Sequence, residues 1–149
     1  MVLLYDSSAV LSLILEPRGS VDHVALWESA GTRLASDLLR IECVIAVRRV
    51  AILQGLQPED EWAASRLVEL ERLYAGMTFK TIDESIEQTI RENPSLARCR
   101  SLDAIHLATA LYLRPHLEEP LAVCSLDRRL REAAAGQGFA VLPESVQTR

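Results

Sequence analysis

This chain of 149 residues predicts an α/β fold of three layers: a central, mostly parallel sheet of four to five strands with helices on both faces. Three observations carry that reading. Short apolar runs such as VLLY and PLAVC show no polar alternation, as strands covered on both faces do. Such runs alternate with longer helical segments, the order that right-handed crossovers between parallel strands produce. Gly and Pro fall as isolated punctuation, with no repeat, low-complexity tract or linker, so residues 1–149 read as one domain.

VLLY ends in Asp6, then Ser7 and Ser8, either of which suits the cap of the following helix. That helix, through LSLIL, is expected to stop at Pro17, and SVDHVALWES to form an amphipathic one with Ser20 as cap and Gly31 past its end. RLAS reads as a second strand. A long helix runs from Ser36 or Asp37 to near Gly55, and a second opens at Pro58 with three acids in its first turn. MTFKTI reads as a strand, DESIEQTIRE as a helix ended by Pro94, and SLDAIHLATALYL as a helix capped by Ser101 and stopped before Pro115. PLAVCS is the next buried strand, DRRLREAAAG a helix closed by Gly136 or Gly138, and FAVLP the last strand.

With 49% hydrophobic residues the chain has material for a proper core. No apolar run has the ~18 residues of a membrane span and the N-terminus lacks a secretory signal, so a soluble, cytoplasmic protein is expected. Cys43, Cys99 and Cys124 are odd in number and widely spaced, which suits buried reduced thiols and neither a disulfide framework nor a zinc site. The net charge of −5 argues against binding nucleic acid by overall field, yet the arginines cluster: Arg48 with Arg49, Arg98 with Arg100, and Arg128 and Arg129 with Arg131. Guanidinium forks suit phosphate, and they equally suit nearby carboxylates. Trp27 and Trp62, on amphipathic helices, read as core or as interface.

Four acids occupy notable positions. Asp6 and Asp127 each follow the carboxyl end of an apolar strand, where open α/β sheets bind ligands. Glu42 lies among apolar residues early in the long helix, on the face of Leu38, Leu39, Ile45 and Ala46, with Arg49 a possible partner. Asp103 lies in a helix first turn, where it also complements the dipole, and Ser125 suits a helix cap or a water-holding hydroxyl. His106, one turn after Asp103, reads as a packed histidine and stays out of the chemistry. All these ends can meet at one sheet edge. Gathered like charges repel and persist mainly around a divalent cation, and oxygen-only ligands suit Mg2+ or Mn2+.

LLYDSSAVL, the helical Glu42 with Arg49, SLDAIHLATAL and CSLDRRLREAAAGQGFAVLP together make the chain resemble the PIN-domain ribonucleases, specifically VapC toxins of toxin–antitoxin pairs. The resemblance implies an acidic metal site of Asp6, Glu42, Asp103 and Asp127, with Asp6 and Asp103 as direct ligands and Ser125 supporting the last acid. Ser7 falls where a Thr is common. It further implies Mg2+- or Mn2+-dependent cleavage of RNA, a homodimer and inhibition by a VapB-type antitoxin. The competing reading is an inactive PIN-fold module that binds RNA or protein. Phosphatase and receiver folds fit poorly, since Ser8 stands where the first needs an acid and Lys80 is the only lysine.

Overall fold

The computed structural model describes residues 1–15 and 21–145, the side chain of Val21 excepted. Five strands form one sheet: β1 (Val2–Tyr5), β2 (Thr32–Ser36), β3 (Thr78–Lys80), β4 (Leu121–Cys124) and β5 (Ala140–Leu142). Their order is β3-β2-β1-β4-β5 and every pairing is parallel. The chain builds outward from β1 to β3 on one side, then crosses to β4 on the other. The switch point therefore lies between β1 and β4, where a crevice opens beyond the strand carboxyl ends.

Helices cover both faces. The helices α1 (Ser7–Leu15), α2 (Val21–Ser29), α3 (Leu38–Leu53) and α4 (Glu61–Tyr74) pack on one side, and α5 (Glu84–Glu92), α6 (Ser101–Leu113) and α7 (Arg128–Gly136) on the other. This explains the unbroken apolar strands. In β1, Leu3 and Tyr5 join the first core with Leu39, Val47 and Leu70, while Val2 and Leu4 join the second with Ile86, Leu107 and Leu130. Burying each leucine contributes about 1.5–3 kcal/mol, so a polar residue on either face of β1 would be costly. Trp27 and Trp62 pack against the first core, Trp27 edge-on to Tyr5 with ring centroids 5.2 Å apart.

Several helix ends differ from the sequence expectation. Asp6, rather than Ser7 or Ser8, caps α1 by accepting from the Ala9 amide at 3.0 Å. Ser36 accepts from the Leu38 amide at 3.2 Å, while the Asp37 side chain makes no cap bond. Asp60 caps α4, so Pro58 and Glu59 precede that helix and only Glu61 stands in its first turn. Arg100 occupies the cap position of α6 without a side-chain bond, and Ser101 is the first helical residue. Gly55 and Gly138 both adopt positive φ, 79° and 82°, where the chain turns away after α3 and α7. The expected stop at Pro17 and cap at Ser20 lie outside the described residues. Cys43 and Cys124 are buried and free, but Cys99 is only half-buried; burial pushes the first two thiols up to about 12. No described helix is long and apolar enough to cross a membrane.

Candidate metal centre

Asp6 extends one residue beyond β1, and the Tyr5–Cys124 pairing places it beside Ser125 of the neighbouring strand end. Its amide donates to the Cys124 carbonyl at 3.2 Å, continuing the ladder. The side chain is 4% exposed. Its oxygens accept from the Ser125 hydroxyl at 2.6 Å, the Ser8 hydroxyl at 2.7 and 2.9 Å, and the Ala9 amide at 3.0 Å. Burial drives the Asp6 carboxyl above the usual carboxylate range, and the Ser125, Ser8 and Ala9 donors pull it back. The strand-end position and the capping role coincide in one carboxylate.

Ser125 is fully buried and does not cap α7. Its oxygen donates to Asp6 and accepts from the Asp127 amide at 3.0 Å, so one hydroxyl fixes two acid-bearing segments. Asp127 itself caps α7, its Oδ1 accepting from the amides of Arg129 at 2.8 Å and Leu130 at 3.2 Å. The Asp127 side chain is exposed, and Oδ2 makes no hydrogen bond. Arg131 is not available to a ligand: it donates to the carbonyls of Ser125 at 2.8 Å and Pro143 at 2.7 Å, tying the β4 end to the residues after β5.

Glu42 and Asp103 reach the same edge from helices. Asp103 stands in the first turn of α6, and its carboxyl is raised, chiefly by burial, next by Asp127 and to a lesser extent by Asp6, while His106 and Arg100 oppose the rise. Glu42 is held by His106, with Nε2 2.5 Å from Oε1; Arg49 is exposed and pairs with no acid among the described residues. Ile45, expected on the Glu42 face, is 48% exposed. His106, read from the sequence as a packed histidine, is packed and also contacts a candidate acid. It is 2% exposed, its only partner is Glu42, and its Nδ1 is buried without one. The separation of 64 residues gave no local signal; the one available cue was the single-turn spacing of His106 from Asp103 on a helix facing the same edge.

An ionised carboxylate only accepts, so Nε2 carries the proton and fixes the Glu42 oxygen. His106→Ala is expected to weaken divalent-cation binding about 10–100-fold, and His106→Gln, which keeps a donor, to recover part of it. Titration calorimetry with Mn2+ should show the same order of affinities; equal affinities would sink the assignment.

The donor set fits a hard divalent cation: carboxylate and hydroxyl oxygens, with surplus negative charge that burial makes costly. Among the described residues no three Asp, Glu, His or Cys side chains stand close enough to hold an ion between them. Asp103 feels the charges of Asp127 and Asp6, and Glu42 joins this edge through His106; together the four form no closed cage.

The sequence matches the PIN domain family over residues 3–136. No curated protein matches the chain. Among solved structures it is similar to FitAcB from Neisseria gonorrhoeae, with 21% identity, a TM-score of 0.66, and coverage of 93% of this chain and 95% of that one. At that identity the likeness concerns the fold.

Proposed function

The chain belongs to the PIN-domain family, and from that premise we propose that it is a metal-dependent endoribonuclease, the cytoplasmic toxin of a VapBC-type toxin–antitoxin pair. The observation that carries the reading is the bridge at the switch point, where Ser125 binds Asp6 through its hydroxyl and Asp127 through that residue's amide. The bridge ties two acid-bearing strand ends to each other at the place where parallel α/β sheets bind ligands. Glu42 and Asp103 complete the set of oxygen donors.

Asp6, Asp103, Asp127 and Glu42 would hold Mg2+ or Mn2+, which supplies an activated water and neutralises charge on the phosphodiester. This chain's own work is positional. The buried Asp6 stays in one orientation because four donor contacts constrain it. His106 sets Glu42, and Ser125 sets the path of the chain into Asp127. On the same reading the protein acts as a homodimer and is silenced by a VapB-type antitoxin laid over these acids.

Purified protein mixed with total RNA is expected to release defined fragments when Mn2+ or Mg2+ is added, and none in EDTA. Asp6→Asn should abolish the fragments while leaving the fold intact, since an amide occupies the same volume and still accepts from Ala9 or a serine hydroxyl. Intact RNA at high protein and metal concentration would overturn the proposal.

A further inference from the structure

A cleft of about 510 Å3 opens beside Asp103, between the short 3-10 turn Pro94–Arg98, the N-terminal end of α6 and the length of α7 from Arg129 to Gln137. Asp103 is the one candidate metal ligand among its lining residues, and Arg98, Arg100 and Arg129 are its cationic wall. From this placement we infer that the cleft is the track for the RNA backbone, with these three arginines engaging successive phosphates and leading the strand to Asp103. The inference rests on the ribonuclease reading for its direction, toward the acids.

The arginines of this chain sort by what they already hold. Arg131 clamps two carbonyls, Arg128 pairs with Glu132, Arg33 donates to the Trp27 carbonyl, and Arg114 donates to the Gln137 carbonyl. Arg98, Arg100 and Arg129 are exposed, and none of their guanidinium groups makes an ion pair or hydrogen bond among the described residues. Glu132, the other acid in the wall, is engaged by Arg128 at 3.4 Å. In a chain of net charge −5 these guanidinium groups, of which Arg100 also offsets the Asp103 charge, stay open to an anionic ligand. Guanidinium forks match phosphate oxygens bidentately, and phosphate contacts set the register of a strand without reading its bases.

The wall is also pre-set. Gln137 donates to the Ser95 hydroxyl at 2.8 Å, joining the end of α7 to the 3-10 turn across the cleft. Arg48, in contrast, lies against Val68 and Tyr74 between α3 and α4, on the opposite layer, and serves as a control.

The test uses the full chain carrying Asp6→Asn, so that RNA binds without being cut, and a fluorescent mixed-sequence single-stranded RNA as probe. Arg98→Gln, Arg100→Gln and Arg129→Gln should each weaken binding. The triple variant should lose at least tenfold at low salt, with the slope of log affinity against log salt shallower by about 2, the share of three phosphates on a single strand. In the cleaving protein the same triple variant should raise KM for RNA with kcat nearly unchanged, and Arg48→Gln should change neither. An unaltered salt slope, or a fall in kcat at constant KM, overturns the inference. So does loss of polyglutamate binding with RNA binding intact, which would give the cleft to an acidic polypeptide. A protein that never cuts RNA, yet whose RNA binding loses that slope in the triple variant, would refute the ribonuclease reading and leave the track standing.

Discussion

Asp103→Asn is expected to stabilise the metal-free protein, raising its melting temperature, while lowering RNA cleavage about a thousandfold. The two effects have one cause. Burial raises the Asp103 carboxyl first and the Asp127 charge raises it next, so its ionised form is less favourable in the fold than in the open chain. A carboxyl with a raised folded value contributes stability below its unfolded value and loses that contribution as pH climbs through the folded one. The difference in melting temperature between variant and wild type should therefore vanish in acid and widen toward neutral pH. Loss of the Asp103 charge at the start of α6 opposes the gain by about 0.3–1 kcal/mol, which narrows it. Mn2+ at about a hundred times its dissociation constant adds about 2.7 kcal/mol to the wild type and much less to the variant. Scanning calorimetry with and without Mn2+ measures all of this; a metal-free variant less stable than wild type at neutral pH would refute the charge argument.

The residues that sequence reasoning placed well owe their positions to local rules. Apolar runs without alternation located β1 and β4, and an acid just past each put Asp6 and Asp127 at carboxyl ends before any pairing was known. Parallel order followed from the alternation of strands and helices, although the sheet is wholly parallel rather than mostly so. The partners across long separations were hidden, because no periodicity encodes which helix face meets which. Spacing along the helix makes Arg49, two turns on, a possible partner for Glu42, whereas packing of α3 against α6 gives it His106. Ser125 looked like a cap because serine before a helix usually is one. Asp127 caps more strongly, with two amides on one oxygen, and leaves the serine free to bind Asp6 across the ladder. The arginine clusters were legible as clusters only. Which guanidinium was spent on carbonyls and which was left open depended on where the residues after β5 run.

Ser125→Ala should be the most damaging change among residues outside the proposed ligands, with a melting temperature lower by several degrees and cleavage reduced about 10–100-fold. The hydroxyl is fully buried and makes the shortest hydrogen bond to Asp6, 2.6 Å, and a bond to a charged acceptor contributes about 1.5–3 kcal/mol. Its removal also leaves the Asp127 amide without its acceptor. Among the groups that pull the Asp6 carboxyl down, Ser125 is the largest. Without it that carboxyl rises further, so the acid limb of the rate–pH profile should move to higher pH. A change that merely loosened packing would lower the rate at every pH without moving the limb. Ser125→Thr keeps the hydroxyl and should return the limb to its wild-type position even if the added methyl costs some stability in so tight a place. A wild-type profile in Ser125→Ala would mean that Asp6 does not depend on its neighbour across the ladder, and the bridge would lose its place in the chemistry.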